Sequence, residues 1–245
     1  MPDFADKAGY GERIADKYDQ WYGAVDEEMV EKIYEVGAGG SAFELGIGTG
    51  RIALPLQKRG MQVGGIDASP SMLEKLKSKE GGDKIEVQTG DFSSFSAPGK
   101  YDVVFAVFNT FFALTTQEEQ VNCLQCVQKI LAPGGKLILE LFVPDLKRFE
   151  GGQAVRVSEV KPDQVKLDCS THDPLRQIII SQTVDLSGMG IGFYPVKLRY
   201  VWPAELDLMA RLASLELESR WGSWRGDPFT SKSGIHISTY KKQGE

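Results

Sequence analysis

The sequence predicts an α/β fold: a doubly wound, mostly parallel seven-stranded sheet that carries an antiparallel β insertion. Three observations predict it. Between residues 41 and 142, short apolar runs alternate with helix-period segments, the pattern of βαβ units. Beyond residue 150, apolar side chains recur at every second position, the period of antiparallel strands. A glycine-rich turn, "FELGIGTGRI" (43–52), follows the first apolar run, at the strand end where such folds receive ligands.

Each element can be justified in order. "AFELG" is a first strand, and "GRIALPLQKRG" a first helix that stops at Gly60, a favourable residue just past a helix end. "MQVGGID" is a second strand. Ser69 then caps a helix with Pro70 at its first position and Met72, Leu73 and Leu76 along one side. "KIEVQTG" is a third strand, and "YDVVFAVF" a fourth, apolar enough to be central. "TTQEEQVNCLQCVQKILAPGG" starts with a threonine-rich cap and ends at Pro-Gly-Gly, and "KLILELFV" is a fifth strand. In the insertion, "QIIISQTVDL" and "YPVKLRYVW" alternate on either side of "SGMGIG", which reads as a hairpin. "PAELDLMARLASL" returns to helical spacing, and "ELESRWG" and "GIHISTYKK" are the final strands. The expected organisation is one domain: an N-terminal helical lid (1–40), a ligand-binding core (41–142), the β insertion (150–202) and a last helix with two strands (203–245).

Composition narrows the function. A chain of 245 residues suffices for a sizeable core. The formal charge of −6, with signs interspersed, offers no basic surplus for nucleic acid. The N-terminal "MPDFADKAGYGERIADKYD" has no apolar signal region, and "VVFAVF" and "LILELFV" are too short to cross a bilayer. Three cysteines suit a reducing compartment, so a cytoplasmic location and no membrane partner are expected. Cys123 and Cys126 form a lone C-x-x-C inside a helical pattern and read as packing residues, with no metal expected.

Gly46, Gly48 and Gly50 give G-x-G-x-G, but Arg51 stands where a dinucleotide fingerprint wants a third, helix-packing glycine or alanine. A long side chain there opposes the close helix approach that seats a pyrophosphate. Glu44, two residues before the first glycine, would repel phosphate and suits a cationic group such as an amino-acid ammonium. A nicotinamide-dependent oxidoreductase, which shares this fold class, is disfavoured on both counts.

"ELGIGTGR" resembles the first motif of class I S-adenosylmethionine-dependent methyltransferases, and further matches follow in order over residues 41–142. Asp67 ends the second strand, 21 residues after Gly46, where the family uses an acid to accept from both ribose hydroxyls. "GDF", with Asp91 and Phe92, falls where the family grips adenine, and Met72 falls where an apolar side chain lies against it. "LAPGGKLILEL" resembles the turn and strand that close the motif set. The resemblance implies a Rossmann-like methyltransferase with S-adenosyl-L-methionine as cofactor. The candidates for binding it are Tyr18, Glu44, Gly46, Ile47, Gly48, Gly50, Arg51, Asp67, Ala68, Met72, Asp91, Phe92 and Phe108. Taken singly, each has an ordinary reading as a turn glycine, a loop acid or a core side chain; it is their common register that favours the ligand.

Methyl transfer from a sulfonium is an in-line displacement of an already activated group, so the protein mainly supplies placement. No conspicuous catalytic motif is needed. The fourth strand ends in "FNTFF", which makes Phe108 and Asn109 the best-placed residues for the transfer site. Asn109 either orients the nucleophile or caps the strand end. "FNTFF" lacks the paired prolines of DNA adenine and glutamine methyltransferases and the Pro-Cys of cytosine-C5 enzymes. "ADKYDQWYG" resembles the Tyr-Asp-x-x-Tyr lid element of small-molecule methyltransferases from natural-product pathways. That resemblance implies Tyr18 near the methionine or ribose and Tyr22 aimed at methyl transfer; the alternative is the apolar face of an amphipathic helix. Aminosugar enzymes carry a histidine where Ala113 stands here, and the only histidines, His172 and His236, lie far along the chain. A broader group of small-molecule and peptide N-terminus methyltransferases shares "NTFF".

Trp221, Trp224 and Phe229 either line the acceptor pocket or, as preferred for Trp221, pack in the core. The hairpin offers a substrate wall or a homodimer face. The expected function is methyl transfer to N or O of a small molecule. A peptide N-terminus methyltransferase and a non-catalytic S-adenosylmethionine-binding protein are the alternatives.

Overall fold

The computed structural model describes residues 8–244. The first seven residues of the expected lid, and the last residue of the chain, lie outside them. Two N-terminal helices, α1 (Gly9–Tyr22) and α2 (Glu27–Val36), precede a seven-stranded sheet. Its members are β1 (Ser41–Leu45), β2 (Gln62–Asp67), β3 (Glu86–Thr89), β4 (Tyr101–Ala106), β5 (Leu131–Phe142), β10 (Leu215–Trp221) and β11 (Ile235–Lys242). The strand order is β10-β11-β5-β4-β1-β2-β3, parallel except where β11 pairs with β5 and β10. The order reverses between β1 and β4, so a crevice opens at their carboxyl ends.

Helices α3 (Ala53–Lys58), α4 (Pro70–Ser78), α5 (Gln117–Ile130) and α6 (Pro203–Leu212) cover the sheet. Their starts follow from the sequence. The Ser69 side chain accepts from the Met72 amide with Pro70 in the first turn, and Thr116 with Glu119 forms a reciprocal capping box. α3 is shorter than the expected 50–60 because the glycine turn extends to Ile52, its N-cap. β4 ends at Ala106, earlier than expected, and "FNTFF" enters a 3₁₀ turn, Thr110–Ala113. "LAPGG" becomes an irregularity within β5: Tyr101 pairs with Leu131 and Val103 with Lys136.

Strand alternation sends side chains to two cores. Phe43, Leu45, Val104, Leu137 and Leu139 pack on one side of the sheet with α5 and α6. Ala42, Val103, Phe105 and Ile138 pack on the other with α2 and α3. Cys123 is fully buried in the first of these cores. Among the described residues no helix is long and apolar enough to cross a membrane.

The insertion is a four-stranded antiparallel sheet: β6 (Gln153–Lys161), β7 (Gln164–Asp173), β8 (Ile178–Ser187) and β9 (Gly190–Arg199). The hairpin anticipated from sequence is β8–β9, and β6–β7 is a second hairpin beside it. Register separates the two apolar rows of the first hairpin. Ser181 pairs with Val196 and Val184 with Phe193, so Val196 and Leu198 lie on the face opposite to Ile180, Val184 and Leu186.

His236 is fully buried on β11, with Nδ1 on the Ser238 hydroxyl at 2.8 Å. Burial, aided by the Arg220 charge, lowers its pKa to about 4. The unfolded chain protonates near 6.5 and the folded chain does not, so this histidine's contribution to stability is complete above that pH and declines as pH falls toward 4. Denaturant titrations should show stability falling by up to about 1.4 kcal/mol per pH unit through this window, and His236→Gln should remove that slope.

Candidate functional site

A cavity of about 560 Å³ opens at the carboxyl ends of β1, β2 and β4. One wall is the core crevice, one is α1, and the third is the insertion face bearing Ser181 and Val196.

The glycine turn shows a division of labour. Gly46 and Gly48 line the cavity, and Gly50 does not. At Gly48 (φ +54°) a Cβ would meet no heavy atom nearer than 3.9 Å, so the backbone leaves room for a ligand to lie directly against it. At Gly50 (φ +77°) a Cβ would lie 1.9 Å from Leu76 Cδ1. Gly50 is thus the helix-packing glycine, which frees position 51 for Arg.

Asp67 ends β2 at the floor of the crevice. Its Oδ2 accepts from the Gly48 amide and its Oδ1 from the Ser69 amide, both at 2.8 Å. Each oxygen keeps a lone pair for a ligand hydroxyl. Burial raises its pKa, opposed by the Ser69, Gly48 and Ala68 amides. Ala68 and Met72 continue the wall, and Asp91 and Phe92 close it opposite. Asp91 is braced by the Ser93 amide and hydroxyl, at 2.8 and 2.7 Å.

Glu44, Ile47 and Arg51 are not among the described lining. Strand parity turns Glu44 toward the α2–α3 side, where it is 4% exposed and its Oε2 has no hydrogen-bond partner. Burial pushes its carboxyl well above the usual range, while Arg51 pulls the other way. Arg51 reaches the Ala24 carbonyl at 3.4 Å, stacks 5.1 Å from the Phe108 ring centroid and hydrogen-bonds Tyr18. It ties α1 to the glycine turn from behind the cavity. Ile47 is buried in the second core.

α1 brings Tyr10, Tyr18 and Tyr22 to the cavity. Tyr18 and Tyr22 lie 5.3 Å apart, and Tyr22 meets Phe108 edge-on at 5.3 Å. Burial raises the pKa of all three hydroxyls, and Tyr10 is also linked to Tyr22 by a hydrogen bond. At neutral pH they are hydrogen-bonding phenols rather than phenolate bases. α1 is fixed to the core by Glu12 on Ser69 and Ser71, Asp16 on Lys75, and Asp19 on Thr49 and Lys79. It is fixed to the insertion by Lys17 on Asp185 and by Trp21 against Tyr194.

Phe108 and Asn109 both have positive φ, +58° and +65°. Two successive left-handed non-glycine residues store strain of roughly 1–3 kcal/mol each. Glu140 holds them: its carboxylate accepts from the Phe108 amide at 2.7 Å, and its carbonyl from the Asn109 amide at 3.2 Å. The Asn109 Oδ1 accepts from the Phe142 amide at 2.7 Å, which is the strand-end capping alternative. What Asn109 offers a ligand is therefore its NH₂ group, a donor.

Trp221, Trp224 and Phe229 are not among the described lining: Trp221 packs against the second core, as preferred from sequence, and the pocket reading of Trp224 and Phe229 is corrected. Trp224 is buried and donates to Glu140 Oε1 at 3.0 Å, so it braces the strained turn from the far side. Sequence reasoning missed Tyr10, two turns before Tyr18 on the α1 face, and the polar insertion residues Asp168, Ser170, Ser181 and Thr183. Tyr10 was legible from helical spacing; the others depend on strand register.

Comparison with known proteins gives a consistent answer. Residues 42–135 match a family model described as a methyltransferase domain. A cypemycin N-terminal methyltransferase from a Streptomyces species is 31% identical over 206 residues, covering 84% of each chain. The solved structure of the CcbJ methyltransferase from Streptomyces caelestis is similar over 98% of this chain and 100% of that one, with 36% identity and a TM-score of 0.91. CalS10, an amino pentose methyltransferase from Micromonospora echinaspora, shares the fold at 20% identity and a TM-score of 0.69, over 90% of this chain and 94% of that one.

Proposed function

The chain belongs to the class I S-adenosylmethionine-dependent methyltransferases, and from that premise we propose that it methylates a nitrogen of a small polar acceptor or of a peptide N-terminus. It uses S-adenosylmethionine as methyl donor, which supplies a methyl group already activated on a sulfonium. One observation carries the acceptor reading: a single cavity runs from the glycine turn and Asp67 to the polar face of the insertion. Nitrogen is favoured over oxygen because a relative that covers 84% of the chain is an N-terminal methyltransferase.

Within this reading, Asp67 and the open backbone at Gly48 hold the nucleoside, with Ala68, Met72, Asp91 and Phe92 around the base. Glu44 and Arg51 act from behind the turn. Tyr18 and Tyr22 exclude water, and Tyr22 and the Asn109 NH₂ orient the acceptor at the strained turn. Placement of this kind supplies roughly 7–11 kcal/mol of barrier reduction, more than a single base provides.

Incubation of the purified protein with methyl-labelled donor and a metabolite and peptide extract should place label on an amine of low mass. Label on oxygen alone would move the acceptor assignment, and no transfer to any product would reverse the catalytic reading. A non-catalytic binding protein would instead function unchanged with Tyr22→Phe and Asn109→Ala.

The outer face of the insertion sheet carries the homodimer expectation. Val157, Leu167, Val184 and Phe193 form one uncharged cross-strand row, with Val157 55% and Phe193 56% exposed. A row without charge is self-complementary, the requirement of a two-fold contact. Sedimentation should find a dimer, and Phe193→Lys should convert it to monomer with cofactor affinity retained.

A further inference from the structure

Building on the methyltransferase reading, we propose that Asp168 is the cation-binding group of the acceptor subsite, so that the cavity selects amines over neutral alcohols and over carboxylates. Strand register puts it there. Asp168 on β7 lies directly opposite Thr183 of β8, which lies opposite Tyr194 of β9, and all three line the cavity. The next row is Ser170, Ser181 and Val196, with the two serine hydroxyls 3.1 Å apart. A carboxylate beside a strip of hydroxyls faces the aromatic lid.

The other acids of the cavity are otherwise placed. Asp67 and Asp91 lie at the nucleoside end, each held by neighbouring backbone amides. Asp145 is an exposed residue beyond the end of β5, its Oδ1 capping the Lys147 amide. Neither histidine lines the cavity: His172 bonds the Tyr200 hydroxyl and His236 is buried on β11. Asp168 is therefore the acid on the acceptor side that a substrate amine meets, and its charge reaches the Tyr22 hydroxyl.

Its present partners leave it available. Oδ1 accepts from the Thr183 hydroxyl at 3.3 Å, and Oδ2 from Arg156 at 2.9 Å. The Arg156 side chain is 73% exposed, and such a single-contact surface pair holds its acid weakly. A carboxylate still has acceptor positions for an N–H donor, and a charge-assisted bond there is roughly twice as strong as a neutral one. An alcohol donates only the weaker kind, and Asp168 repels a carboxylate. Of the other cations along the cavity, Arg13 and Arg148 are exposed and Lys197 pairs with Ile180, in the row of the opposite sheet face.

The test titrates protein saturated with S-adenosylhomocysteine with benzylamine, benzyl alcohol and benzoate near neutral pH, followed by ligand-observed NMR. Benzylamine should bind roughly tenfold more tightly than the other two. Asp168→Asn should abolish that preference while leaving S-adenosylhomocysteine affinity intact, and Asp168→Glu should restore part of it. Equal binding of the three probes, absence of benzylamine binding, a preference for benzoate, or an amine preference that survives Asp168→Asn would overturn the proposal. Failure of the wild-type chain to bind S-adenosylhomocysteine would instead overturn the methyltransferase reading beneath it.

Discussion

Asp67→Ala should raise the dissociation constant for S-adenosylhomocysteine by roughly 10- to 150-fold, the equivalent of about 1.5–3 kcal/mol for a lost hydrogen bond to a buried charge. The position explains the size. The carboxylate fixes both the Gly48 amide and the Ser69 amide, so its removal loosens the glycine turn and the start of α4 together. Asp67→Asn retains one acceptor oxygen and should fall between wild type and alanine. Calorimetric titration of the three proteins checks the ranking, and unchanged affinity in the alanine variant would remove Asp67 from the donor site.

Glu205→Ala should destabilise the fold by about 3 kcal/mol, because it strands a buried guanidinium. Arg199, 7% exposed at the end of β9, donates to Glu205 Oε1 at 2.7 Å and to Gln120 Oε1 at 2.6 Å. Gln177 completes the cluster by donating to Glu205 Oε2 at 2.7 Å. These residues join the insertion to α5 and α6, so the wall of the cavity depends on them. For a chain of this size the loss corresponds to a melting temperature lower by roughly 6–12 °C. The double variant Arg199→Met with Glu205→Leu should recover much of the loss, since it removes the unpaired charge. A thermal melt of the single variant that coincides with wild type would refute this account.

The parts of the molecule legible in sequence are those fixed by neighbours along the chain. The Ser69 and Thr116 caps, the glycine turn and the strand-end Asp67 each depend on a few consecutive residues, and the parallel core followed from alternation alone. The hairpin β6–β7 was harder to see. Its apolar positions, Val155, Val157 and Val160, face outward and are exposed, so they give no core signal. Which insertion residues face the cavity was set by the pairing of Ser181 with Val196, which no periodicity states. Glu44 was legible as an acid at the strand mouth but not as a buried one, because its direction depends on sheet parity and on Arg51 behind it. Trp224 looked like a pocket aromatic because its partner, Glu140, lies on a strand 84 residues away.

Helix α1 is fastened to α4 on one bank by three acids and to the insertion on the other by Lys17 and Trp21. A span anchored on both banks cannot lift from one without slackening at the other. Under the proposed function, exchange of spent donor and departure of methylated product should therefore be mechanically joined: a displacement of α1 that opens the Asp67 end of the cavity also parts its tyrosines from the insertion, so one opening is expected to serve both.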